Sequence, residues 1–328
     1  MNTEIAEIMS KENVLSEVAD KVAYQNTLTN EESEMVECLD AWAKEVGKTG
    51  HDANHEIAQM VNKAISRESI TAPSELISMI FNESAIGEGD DWRGEKAPKN
   101  TIKVYATGVG ANVDASYIDH TKIVPTWTSL QARTTVTMRD LRLNGYKTIA
   151  QQIAYIKEAL ENQKVITILK GVDNAITKSI EEATGNPTAT SADALAEYLK
   201  DMSDGDECVM IGFNKYMMAI SKLDGARSLA SPAMKDQWNR NGVLDYYAGC
   251  RLFGVSGTKK TGNGDLLLPD KRVFGIAGKI GNAITRGEAR VLQAEDITNE
   301  TVTIKVSGFD FGYGIDEIEK AGKIVMAQ

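Results

Sequence analysis

His51-Asp52-Ala53-Asn54-His55 is the one spacing in this chain that could bind a metal ion. Two histidines at i and i+4 share a helix face, as in the zinc motif whose second residue is a glutamate acting as general base. Here that residue is Asp52, whose shorter arm places a base poorly, and the only other histidine is His120. A metal-dependent hydrolase using His51 and His55 is therefore a minor alternative. In the simpler reading Asp52 caps a helix and both imidazoles are exposed. The phosphate-loop patterns fail too. Gly249 and Gly254 have the right interval, but Val255-Ser256 stands where Lys-Ser/Thr is required, and Gly108-Val109-Gly110 lacks a third glycine. Gly254-Val255-Ser256-Gly257 is not a nucleophile elbow. Cys38, Cys208 and Cys250 lie far apart in sequence, without CxxC spacing and without a nearby histidine. That excludes a disulfide framework read from spacing, gives no support to a Cys–His nucleophile, and fits a reducing compartment. Carboxylates are plentiful, yet no spacing singles out an acid pair. The expectation is a chain that is not an enzyme and uses no cofactor and no metal.

What would have to position any such residue is a chain of 328 residues, long enough for one large domain or two modest ones. Its 42% apolar and 25% charged content matches an ordinary globular protein. No run of 18 apolar residues exists, so no membrane-spanning helix is expected, and Met1-Asn2-Thr3-Glu4-Ile5 lacks the start of a secretory signal. The net charge of −11 is unevenly spread: residues 1–60 carry 13 acids and 4 lysines, a net of −9. Such an end discourages non-specific phosphate binding. Residues 251–290 are locally basic (Arg251, Lys259, Lys260, Lys271, Arg272, Lys279, Arg286, Arg290) but lack interleaved aromatics for base stacking, so a solvated or interface role is expected.

Residues 1–82 read as helical. Ile5, Ile8, Met9, Leu15, Val18 and Val22 form an imperfect stripe. Thr29-x-x-Glu32 forms a capping box ahead of Met35, Leu39, Trp42 and Val46, with Gly47 as the stop. A third helix covers 52–66, and a short one follows Pro73. Gly87 to Gly94 is a breaker-rich loop, and residues 101–137 read as a polar β-ribbon that cannot build a core alone. The strongest helix pattern runs from Thr148 to Leu169, about 33 Å long, through Ile149, Ile153, Ile156 and Leu160. Arg139 to Leu143 extends it, Asn144-Gly145 bends it, and Gly171 ends it. Beyond lie a helix over 193–202, a buried strand over 208–212, a helix over 215–223 and an irregular stretch over 224–242. Short strands follow at 250–255, 266–268, 273–277, 289–292, 301–306 and 323–326.

This order of segments resembles the major capsid proteins of tailed bacteriophages, with the Hong Kong 97-like fold also used by encapsulin shells. The stretches that carry the likeness are Val136 to Leu141 running into the long helix, Asp193 to Leu199, Val209 to Asn214, Gly249 to Val255, Phe309 to Gly314 and Lys323 to Met326. The resemblance covers residues 90 to 328. It implies an α+β fold with a helical acidic N-terminal segment and N-arm over 1–95, and an extended β-hairpin, the E-loop, over 96–131. A spine helix and peripheral domain would follow over 132–188, an axial domain over 189–300, and return strands to the peripheral domain over 301–328. Some members crosslink a ribbon lysine to a neighbour's asparagine; Lys96, Lys99, Lys103 and Lys122 lie in that segment, but no partner can be placed and no crosslink is expected.

The implied function is a major capsid protein whose copies assemble into pentamers and hexamers, closing an icosahedral shell around double-stranded DNA without sequence-specific binding. The alternative on the same fold is an encapsulin-like compartment. Partners would be further copies, a portal, and scaffolding or cement proteins; the place would be the virion, after assembly in the host cytoplasm. Expected subunit-interface residues are Lys103, Tyr105 and Trp127 in the ribbon, and Trp238, Asn239, Asn241 and Gly242 at the symmetry axes. Symmetric shells reuse one chain in slightly different surroundings, and Gly145 is expected to supply flexibility to the spine.

Overall fold

The computed structural model describes residues 3–49, 53–65, 74–95, 122–223, 231–257, 264–296 and 300–327. The apolar stripe of the first segment forms two helices, α1 (Thr3–Ser10) and α2 (Glu12–Ala23), broken at Lys11. Helix α3 (Asn30–Thr49) starts where the capping box places it: the Glu32 amide donates to Thr29 Oγ1 at 3.3 Å, and the Thr29 amide donates to Glu32 Oε2 at 2.8 Å. Gly47 does not stop this helix. It lies within α3 against the chain at Arg142, where a Cβ would fall 2.9 Å from the Arg142 nitrogen. Helices α4 (Ala53–Ala64) and α5 (Glu75–Ile80) follow as the periodicity indicates.

Two sheets organise the rest. The four-stranded one has the order β1 (Phe81–Ile86), β10 (Gly281–Asp296), β11 (Thr301–Ile315), β4 (Thr126–Thr137). β1 runs parallel to β10, and the other pairs are antiparallel. β1 begins directly at the end of α5, so Phe81 and Asn82, expected to be helical, are in a strand. β10 and β11 are single long strands where the sequence suggested fragments, and a bulge explains the discrepancy. Val302, Ile304 and Val306 are buried at even positions, then Phe309 and Phe311 at odd ones. The shift falls at Gly308 and, opposite it, Gly287, both at positive φ (99° and 86°). One extra residue swaps the faces of a strand, so a period-2 reading breaks there although the hydrogen-bonded ladder continues.

The six-stranded sheet has the order β5 (Lys178–Glu182), β12 (Ala321–Met326), β9 (Arg272–Ala277), β6 (Cys208–Phe213), β8 (Cys250–Val255), β7 (Tyr246–Tyr247). β6 is buried at all six positions, as expected of a central strand covered on both faces. Helix α8 (Ala189–Met202) packs over β9 and β12, and helix α9 (Asn214–Ser221) over β6 and β8. The chain enters this sheet with β5 through β9, leaves it for the β10–β11 hairpin, and returns with β12.

Linking the two sheets are a short helix, α6 (Met138–Asn144), and a 30-residue helix, α7 (Tyr146–Ala175). α7 outruns the sequence reading at both ends, and Gly171 does not end it. That glycine makes room instead for the Tyr313 side chain, which a Cβ would strike. α7 buries residues around much of its circumference, among them Ile149, Ile153, Ala154, Ile156, Leu160, Val165, Ile168 and Leu169. A helix apolar on several sides must be covered on several sides; α2 and α3 pack against it, and so do β4 and β11. One continuous core runs from Ile5 through α7 to Met326. Two further readings are corrected. Leu266 makes only an isolated bridge and residues 267–268 bend, so no strand forms there, and the stretch 224–242 contains helix α10 (Pro232–Asn241).

Candidate assembly surfaces

The two-residue strands β2 (Gly94–Glu95) and β3 (Lys122–Ile123) pair antiparallel on either side of residues 96–121. Lys103 and Tyr105 lie outside the described residues. Trp127 lies just beyond β3, on β4, opposite Gly312 of β11. The sequence Phe309-Asp310-Phe311-Gly312-Tyr313-Gly314 places large side chains on one face and small ones on the other. The large face meets α7: Lys164 Nζ sits 5.6 Å from the Phe311 ring centre, and Tyr313 fills the space at Gly171. The glycine face is a seat. A Cβ on Gly312 would be 2.6 Å from the Trp127 ring, and one on Gly314 would be 2.6 Å from Ile123 Cγ2. The Arg286 guanidinium lies 4.4 Å from the Trp127 ring centre and is held by Asp310 at 2.8 Å. The sequence singles out Trp127 but not its partners, although the alternation of aromatic and glycine residues was the available signal.

The second surface is α10. Ser231 caps it, accepting from the Met234 amide at 3.3 Å; Pro232 occupies its first turn; and Gly242 ends it in the left-handed conformation (φ 72°). Serine-proline before a helix and glycine after it are ordinary boundary signals, legible in this stretch. Asn239 is exposed on this helix, Asn241 is its last residue, and Trp238 is half-buried against the core.

The third is the elbow between α6 and α7. Gly145 (φ 58°, ψ −138°) is the last cap of one helix and the first of the other. It has no side chain to cap α7, and the Tyr146 amide instead donates to Asp40 Oδ1 of α3 at 3.1 Å. Lys44 holds the other Asp40 oxygen at 2.7 Å. Tyr146 is fully buried, and its hydroxyl has no hydrogen-bond partner among the described residues. Burial, with a contribution from the charge of Asp20, holds this phenol above its usual range.

His51 lies outside the described residues, and the side chain of His55, on α4, is likewise undescribed. Among the described residues no group of three histidine, cysteine or acidic side chains is placed to hold a metal. Cys208 and Cys250 become register neighbours on β6 and β8, both buried. Burial, reinforced by Cys208, pushes the Cys250 thiol up to about 12, which leaves little of the reactive thiolate. Burial also pulls the Lys164 ammonium below its usual range. The four arginines of the basic stretch are each placed near a carboxylate. Arg286 meets Asp310, Arg290 meets Glu88, Arg272 lies 3.7 Å from Asp173, and Arg251 lies 3.8 Å from Glu75.

No family model matches the sequence, and no curated protein does. Solved structures do match. The capsid of the native GTA particle aligns with a TM-score of 0.53 and 13% identity, over 80% of this chain and 91% of that one. The capsid of the cyanophage P-SCSP1u aligns at 0.50 and 10%, over 77% and 88%. The procapsid of satellite phage P4, a structure that includes the size determination (Sid) protein, aligns at 0.50 and 11%, over 79% and 89%. At such low identity the likeness speaks for architecture, and the chain has the α+β, Hong Kong 97-like fold of phage capsid proteins.

Proposed function

We propose that this chain is a major capsid protein, whose copies form pentamers and hexamers and close an icosahedral shell around double-stranded DNA. The observation that carries the reading is the shared fold, aligned over most of the chain with the capsids of a cyanophage and a GTA particle and with the procapsid of satellite phage P4. Two features of the chain support it. β2 and β3, which flank residues 96–121, form an antiparallel root against β11, where a ribbon reaching over a neighbouring subunit would start. The arginines of the basic stretch are engaged by carboxylates, which suits a wall that encloses DNA without reading it. The mechanism is geometric: the ribbon, with Lys103 and Tyr105, lies on one neighbour, and α10 with Trp238, Asn239, Asn241 and Gly242 meets its counterparts around the axes. A portal, scaffolding or cement proteins would join the particle, assembled in the host cytoplasm and retained in the virion. Electron microscopy of the expressed chain tests this. Capsomers or closed shells are expected; a strictly monomeric species at high concentration would overturn it. Native particles that hold a protein cargo and no DNA would transfer the chain to compartment shells of the encapsulin kind.

A further inference from the structure

The N-terminal end of α7 is capped by another helix, and that arrangement has a consequence for how the elbow moves. Gly145 provides the turn between α6 and α7 but no capping oxygen, so the first amide of α7 is satisfied by Asp40 of α3. A Cβ on Gly145 would fall on the Asp40 carboxylate, well inside van der Waals contact. About two turns further along α3, Gly47 lets the same helix press against the α6 backbone at Arg142. α3 therefore touches both sides of the elbow, with one contact on α6 and one on α7. The first side chain of α7, Tyr146, is buried, and its hydroxyl has no partner among the described residues, an unfavourable arrangement that persists only when its surroundings enforce it.

We propose that α3 is a clamp that fixes the angle between α6 and α7, with Asp40 as its positioning residue and Gly145 as the hinge it holds. While α3 is seated, the elbow has one geometry. When the Asp40 cap is lost, α7 frays at its first turn and the elbow samples others. The flexibility expected of Gly145 is thereby placed under the control of the acidic N-terminal helices. The consequence for shell geometry, although not the clamp itself, rests on the capsid reading.

Hydrogen exchange on the full-length, unassembled chain separates the two. Asp40→Asn keeps a capping oxygen but loses the charge and the ion pair to Lys44, whereas Asp40→Ala loses both. The expected result is about fivefold faster exchange of the Tyr146 amide in Asp40→Ala, the size of a lost helix cap, with Asp40→Asn close to the parent. Gly145→Ala, which displaces the same carboxylate, should also accelerate exchange, and the double variant with Asp40→Ala should fall short of the product of the singles. Equal exchange in all variants, or equal acceleration in Asn and Ala, would overturn the clamp. In shells, Asp40→Ala should broaden the spread of elbow angles among subunits; an unchanged single angle would overturn it as well. A chain that shows the exchange difference yet never assembles keeps the clamp and removes the capsid reading.

Discussion

Glu182, at the end of β5, accepts a hydrogen bond from the Thr188 hydroxyl at 2.6 Å and two from Thr184, through its amide and its hydroxyl, at 3.3 and 3.1 Å. The hydroxyls of Thr188 and Ser191, with a smaller contribution from Thr184, hold its carboxyl down at about 2. A carboxyl lowered by folding stabilises the native state above its unfolded value near 4.5, and that contribution is lost as the pH falls towards 2. Glu182→Gln should therefore lower the Tm at pH 7, and the gap to the parent should close as the pH falls from 4.5 to 2. A gap that does not narrow with pH would count against this assignment. Tyr146 makes the opposite case. Its buried hydroxyl has no partner among the described residues, which costs on the order of 1–3 kcal/mol, so Tyr146→Phe should keep or raise the Tm. A fall of several degrees would mean that the hydroxyl has a partner in solution. The environment of Tyr146 depends on residues that only folding brings near, whereas the partners of Glu182 lie close by in sequence, at Thr184, Thr188 and Ser191.

Among the elements, helices were easier to read than strands. The boxes and stripes of α3 and α7 are local and survive in the structure because a helix bonds to itself over four residues. The glycines misled for the same reason. Gly47 and Gly171 resemble stops, but each is a point where another element approaches the helix too closely for a Cβ, and proximity of that kind has no local signature. In the long hairpin the paired bulge at Gly287 and Gly308 hid the continuity of β10 and β11. Gly308→Val should cost about 1–3 kcal/mol, because a branched residue strongly disfavours φ 99°, and a Tm equal to the parent would contradict the bulge. The ribbon root makes a second prediction at this scale. Trp127→Ala removes the ring from the glycine seat and from Arg286, a cation–π contact worth about 0.5–2 kcal/mol. It should lower the Tm and increase proteolysis at the root, with cuts near residues 122–126 detected by mass spectrometry.

For the molecule as a whole, the acidic N-terminal segment is built into the body. Ile5, Leu15, Val18, Leu39, Ile57 and Met60 belong to the same core as Ile149 and Ile153. Lys157 of α7 reaches Ser16 Oγ at 2.6 Å and Asp20 at 3.1 Å. Deleting residues 1–65 would expose a whole side of α7, where each large aliphatic side chain is worth about 1.5–3 kcal/mol buried. The truncated chain should be insoluble or molten. A soluble, cooperatively melting product would show that the segment is an appendage. Under the proposed capsid role, the charge carried there, −9 within 60 residues, would limit adhesion of DNA to the wall if these helices faced the lumen. In intact particles a lysine reagent that cannot pass the shell should spare Lys21, Lys44 and Lys48; labelling them would place these helices outside.

The sequence by itself determined the helices with local caps and stripes, the central buried strand, the uneven charge, the lack of a catalytic spacing and the likeness in segment order to phage capsids. Each depends on residues a few positions apart, or on composition alone. The tertiary structure decided what depends on distant residues meeting: that β12 returns to the six-stranded sheet, that Gly312 and Gly314 seat Trp127 and Ile123, and that Asp40 caps a helix beginning 106 residues later. Such contacts follow from how the elements stack, and no local pattern of residue types encodes the stacking.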